Sequence, residues 1–211
     1  LDPTTPWRDL REGLSYVWNT PFLLAVMILA FFLNMTAFPL ENSLLPYVAK
    51  EVYGASQTVL GYMAAGAATG ALISAVVVSR LAHLMRPARM AIYGTIAWYL
   101  LLLCFAQAST PALGIPLLML SGCAQAVGLV PMTASLLRNS DERFRGRIMG
   151  IRMLSIYGNV PGLLLAGPLI AGLGFHVAAS LYCVFGIALT ILIPARWRQC
   201  MWALDAPANT R

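Results

Sequence analysis

Few residues in this sequence have side chains suited to covalent or acid–base chemistry, and they are widely spaced. The run "GASQ" (54–57) puts Ser56 behind a glycine, and His176 is available as a base. Together they are the opening of a nucleophile elbow, but Gln57 stands where the closing glycine belongs and nothing in the spacing pairs Ser56 with His176. A serine hydrolase is therefore a minor reading. His83 and His176 are too few and too far apart for a metal site. Cys104, Cys123, Cys183 and Cys200 form no C-x-x-C, and three of them sit in apolar runs where cysteine acts as a small packing residue. No G-x-x-x-x-G-K-[ST] is present to hold a nucleotide. The expectation is a protein that is not an enzyme, with no metal and no cofactor.

A different kind of chemistry is suggested by polar residues inside apolar runs. Asn34 and Glu41 lie two turns apart, Gln125 falls on a stripe with Ser121, Gly128, Met132 and Ser135, and Asn159 shares a face with Ser155, Gly162 and Ala166. Such amides either face a wet cavity or hydrogen-bond a neighbouring helix, and the sequence leaves both open. Glu41 lies about 30 Å along a helix from Phe22, which favours an interfacial carboxylate in water over a proton-coupling group.

The elements that must hold these residues follow from composition. The 211 residues are 59% hydrophobic and 10% charged, with a mean hydropathy of +0.74. A soluble surface needs about a quarter charged residues, so most of this surface must face lipid. Six spans, 21–44, 57–79, 90–108, 112–137, 148–171 and 176–194, are long enough for a hydrocarbon core. This is an all-α polytopic membrane protein whose first partner is the bilayer. The formal charge of +6 is spread over short interhelical segments and forms no continuous basic face, so no nucleic acid partner is expected.

Charge avoids the spans and collects between them. "RNSDERFRGR" (138–147) holds six charged residues, between an uncharged run from Met90 to Leu137 and another from Met153 that contains only His176 as an ionisable group. Six spans put all thirteen arginines on one side and Lys50 on the other, so the positive-inside rule places both termini in the cytoplasm. Residues 1–20 form an amphipathic cytoplasmic linker helix. Thr5 can cap it before Pro6, and Trp7, Leu10, Leu14 and Val17 form its apolar side. Residues 21–195 form the six-helix bundle and 196–211 a cytoplasmic tail. Spans three and six, mostly large apolar residues, are expected to have broad lipid contact. "GAATG" with Gly66 and Gly70, and "GNVPG" with Gly158 and Gly162, mark close helix packing. The chain starts at Leu1, which implies either a removed leader or a piece of a longer chain.

Several motifs in order resemble the C-terminal half, helices seven to twelve, of a major facilitator superfamily transporter, nearest to bacterial drug and siderophore exporters. "WRDLREGLSYVWNTPFL" is similar to the linker entering helix seven. "LLPYVAKEVYGASQTVLGYMAAGAATGALI" is similar to the end of helix seven and the glycine-rich helix eight, and "DERFRGRIMG" with "AGPLIAGLG" to helix eleven. The resemblance implies a cavity lined by helices seven and ten, two halves joined through eight and eleven, and lipid around nine and twelve. In "VVVSRLAHLMRPARM" Arg80 is kept, but Ser79 stands where the family often has Asp, which weakens a charge-relay role for that loop.

The resemblance implies secondary active transport, with efflux of small amphipathic molecules by alternating access and this chain as one wall of the cavity. Asn34, Gln125, Tyr157 and Asn159 become expected substrate contacts, and Glu41 the residue available for coupling. Arg80, Asp141, Arg145 and Arg147 become a cytoplasmic gate, unless the arginines serve topology alone. The partners are then a small-molecule substrate and an N-terminal six-helix half, in a bacterial inner membrane. A membrane subunit of a multicomponent transporter is the alternative.

Overall fold

A computed structural model describes residues 6–81, 87–138 and 144–196. The proposed gate residue Asp141 and the tail beyond Arg196 lie outside the described residues, as do the Thr5 cap and the side chains of Trp7 and Leu10. The described segments are helical, with no strand among them, and six are long and apolar enough to cross a membrane.

Helix α1 (Pro6–Asn19) precedes α2 (Pro21–Phe38), and Thr20 breaks them with an extended backbone. Pro21 then starts α2 at the first helical position, where its missing N–H costs nothing. The first span does not end at Phe38. It continues as a π turn (Pro39–Ser43), the short α3 (Leu45–Tyr47) and a second π turn (Val48–Val52). Pro39 has no N–H to offer the Met35 carbonyl, and the chain widens there, closing instead through Leu44 N–H to Pro39 O at 2.8 Å. Gly54, at φ 57°, makes the turn into α4 (Gln57–Leu81).

The remaining spans are α5 (Pro87–Gln107), α6 (Pro111–Arg138), α7 (Arg145–Leu154) continued through a 3₁₀ turn (Ser155–Gly158) into α8 (Asn159–Leu173), and α9 (Phe175–Arg196). Gly174, at φ 80°, permits the reversal between α8 and α9.

Helix α6 packs tightly on two neighbours. A Cβ on Gly70 of α4 would lie 1.8 Å from the Met119 carbonyl, and one on Gly122 of α6 would lie 2.0 Å from that of Ala67. Gly94 of α5 meets Gly128 of α6 in the same way, its Cβ falling 2.5 Å from the Gly128 nitrogen. Gly66 is looser, at 3.3 Å from the Ile115 carbonyl. Gly162 of α8 lies under the Met35 carbonyl, 2.0 Å from an added Cβ, and Gly158 of the preceding 3₁₀ turn under that of Phe31 at 2.5 Å. Small residues thus let backbones approach where apolar attraction alone gives little drive in lipid.

Burial is uneven. Within this chain the first span is the most buried, at 61%, α5 and α9 are 44% buried, and α4 and the α7–α8 span only 22% and 17%. The most open faces are thus on spans two and five, where the resemblance implies a junction with a second half. Large apolar composition does not distinguish a helix face in lipid from one packed on neighbours, and Trp98, Tyr99 and Leu102 of α5 are core residues. Leu72, Ile73, Val76 and Val77 of α4 and Leu163, Leu164 and Leu165 of α8 stay exposed.

Candidate functional site

Two polar sites lie inside the bundle, and the first is built on Glu41. The π turn after Pro39 carries this carboxylate into the space between α2, α5 and α6, where it is 2% exposed. The expected interfacial carboxylate in water is thus corrected: counting rise along a regular helix could not foresee the widened turn. Trp98 Nε1–H donates to Oε2 at 2.7 Å and Gln125 Nε2–H to the same oxygen at 3.1 Å, while Ser121 Oγ–H donates to Oε1 at 3.1 Å. Ser121 and Gln125 are four apart on α6 and so reach from one face. Three helices meet on one carboxylate, and every partner is neutral.

Beside this cluster Thr36 donates to the Phe32 carbonyl at 2.8 Å. Its hydroxyl has a single hydrogen, so Tyr99 must donate the 2.6 Å bond between the two side chains. Gln125 and Glu41 also border a small cavity of about 140 Å³, closed on the α4 side by Ala64, Ala67, Ala68 and Ala71. That is room for several waters next to the carboxylate.

The second site is a larger cavity of about 360 Å³ between α2, α6 and the α7–3₁₀–α8 span. Its polar lining comes from Asn34, Asn42, Arg152, Ser155 and Asn159, and its apolar lining includes Leu33, Phe38, Leu129 and Ile156. Both neighbouring spans lose regular helix geometry here, α2 at Pro39 and α7 at Ser155. Arg152 stands seven residues inside its span, about 10 Å from the Arg145 end at 1.5 Å per residue. Its Nη1 is buried with no hydrogen-bond partner, as is Oδ1 of Asn159. Asn159 Nδ2 reaches Ser43 Oγ at 3.5 Å, and Asn34 Nδ2 donates to the Ala30 carbonyl of its own helix at 2.8 Å.

The expected substrate contacts therefore divide. Asn34 and Asn159 line the larger cavity, Gln125 is committed to Glu41, and Tyr157 is 68% exposed and lies outside the cavity lining. Arg152, counted with the cytoplasmic arginines although the span 148–171 contains it, is the residue missed. Its signal is its distance from the cluster at 138–147: five residues past Arg147, it is already inside a span.

The gate residues are likewise separated. Arg80 is exposed at the end of α4. Arg145 Nε–H donates to the Leu137 carbonyl at 3.2 Å, satisfying one of the open carbonyls at the end of α6. Arg147 reaches back to the linker helix, where Nη1 lies 2.8 Å from Glu12 Oε2. Its guanidinium also sits 5.5 Å from the Phe144 ring, which stacks on Tyr16 at 4.6 Å. Helix α1 docks through Gly13 and the buried Val17, leaving Leu14, expected on its apolar side, 52% exposed. Ser56 is exposed, and His176 gives its Nδ1–H to the Ala106 carbonyl at 2.6 Å, so the hydrolase pairing is not formed.

Six membrane-length helices that keep a carboxylate and a guanidinium in their interior define a multi-pass membrane protein of the transporter kind. Residues 26–207 match the family model of the Major Facilitator Superfamily, and the chain belongs to that superfamily. It is similar to the enterobactin exporter EntS of Escherichia coli O1:K1 / APEC and of Escherichia coli O45:K1 (strain S88 / ExPEC), 27% identical to each over 169 residues. The matched region covers 80% of this chain and 39% of each relative, so the chain spans well under half the length of the curated relatives it matches. No solved structure gives a significant match.

Proposed function

We propose that this chain forms one half of an exporter of small amphipathic molecules working by alternating access, with a second six-helix half completing the cavity. The observation that carries this is the 360 Å³ cavity with a polar wall, lying where two interrupted helices face each other. Interrupted helices around a midplane site are the usual way a transporter lines a binding pocket with polar groups. The relatives are named as exporters, and the open faces of α4 and α8 suit the proposed second half. On this reading both termini are cytoplasmic in a bacterial inner membrane. Arg80, Arg145 and Arg147, with Asp141, then belong to the cytoplasmic gate.

Glu41 is the proposed coupling group. A proton arriving on Oε2 meets two N–H donors, so at least one must let go, whereas on Oε1 it meets Ser121, whose hydroxyl can turn to accept it. Gln125 can likewise turn its amide to present its own oxygen as an acceptor, while the Trp98 indole N–H has no such option. Protonation of Glu41 would thus be read by α6, which carries both Ser121 and Gln125. The test is a proteoliposome flux assay on the full-length protein under an imposed pH gradient, with Glu41→Gln alongside. Substrate movement that is driven by the gradient in the parent and lost in Glu41→Gln supports the reading. Driven movement that survives the substitution removes Glu41 from coupling.

A further inference from the structure

We infer that the larger cavity selects molecules carrying a compact oxyanion and a neighbouring N–H or O–H donor on an apolar skeleton, with Arg152 as the anion-binding residue; this rests on the transport reading above. Arg152 brings a guanidinium into a cavity whose described lining includes no acidic side chain. Its Nη1 is buried and unpartnered, although burying a charge without a partner is costly. Such a group is retained within a membrane span when a ligand or pathway uses it. The guanidinium fork matches a carboxylate or similar oxyanion in two parallel bonds.

Asn159 adds a second requirement. Its Nδ2 faces Ser43 at 3.5 Å, while Oδ1 is buried with no donor. A ligand that satisfies Arg152 and Asn159 together therefore presents an anion and a hydrogen-bond donor. Phe38, Leu33 and Ile156 supply an apolar wall for the rest of it. A cation would meet Arg152 with no carboxylate to offset it, because Glu41 is already held by Trp98, Ser121 and Gln125.

The test uses full-length protein in phosphatidylcholine nanodiscs and three fluorescent probes of one skeleton: dansylglycine, dansylamide and dansylcadaverine. Dansylglycine carries the carboxylate and an adjacent sulfonamide N–H. The expected result is saturable binding of dansylglycine, tighter than either comparator. In Arg152→Gln that binding should weaken by about tenfold or more, the loss of one charge-assisted contact. It should be partly kept in Arg152→Lys, while dansylamide binding stays unchanged and reports an intact fold. Equal or weaker binding of dansylglycine than dansylamide in the parent overturns the proposal, as does dansylglycine binding unaffected by Arg152→Gln. Loss of probe binding when phosphatidylglycerol is added also overturns it, since the site would then belong to a headgroup phosphate. Failure of the transport reading looks different: dansylglycine binds through Arg152 but is not moved across proteoliposomes.

Discussion

Glu41 and Arg152 are both ionisable groups inside one helical bundle, yet their surroundings are opposite. The carboxylate receives three hydrogen bonds from two other helices, α5 and α6, and closes them on itself. The guanidinium faces a cavity with one nitrogen buried and unmatched. A satisfied group of this kind contributes to holding the fold, whereas an unsatisfied one costs stability and is kept for what it binds. Charge at depth thus has protein partners on one side of α2 and lacks them at one nitrogen on the other.

Substitutions at Glu41 should lower stability while those at Arg152 should not, and the largest effect is expected at Glu41. Glu41→Ala leaves Trp98, Ser121 and Gln125 without their acceptor and opens a void, and should lower unfolding stability by about 3–5 kcal/mol. Thermal unfolding of the purified protein measures this, and a change under about 1 kcal/mol would mean that the cluster does not hold the helices together. Removing a single donor sharpens the point. Trp98→Phe keeps most of the packing against Phe38 and should cost about 1–3 kcal/mol, as expected for a hydrogen bond to a charged group.

Arg152→Met is expected to leave stability unchanged or raise it by about 1 kcal/mol, because it removes a half-buried guanidinium whose buried Nη1 has no hydrogen-bond partner among the described residues. Destabilisation comparable to Trp98→Phe would erase the contrast between the two sites. Smallest of all is the exposed pair Arg147–Glu12, with side chains 29% and 44% exposed. Glu12→Gln should cost less than about 1 kcal/mol, and that cost should vanish in high salt. A larger, salt-insensitive loss would make the linker helix a third charged site of structural weight.

What the sequence makes legible follows the same division. Six spans, their approximate limits and the close-packing glycines are readable because apolar run length and small residues four apart have direct geometric meaning. Asn34 and Asn159 are legible as polar residues in apolar surroundings. The burial of Glu41 is not, because it depends on how Pro39 widens a turn and on Trp98, Ser121 and Gln125 arriving from two other helices. Arg152 is hidden for the opposite reason: an arginine near a basic loop is counted with the loop although the span 148–171 contains it, and only the meeting of that span with α2 and α6 places it in a cavity.

The proline at 39 also sets the mechanics of the first span. A helix that already lacks one rung, between the Met35 carbonyl and residue 39, can flex there without breaking another. The stiffness of that joint then comes from side packing rather than from the backbone ladder. Gly162 serves as its bearing, pressed against Met35 with no side chain to jam the motion. Pro21–Phe38 and Pro39–Val52 are in this sense two levers on one pin, with Glu41 just past the pin and Asn34 just before it. Pro39→Ala restores the rung and should narrow the spread of distances between spin labels on the two segments; an unchanged spread would mean that the joint is rigid for another reason.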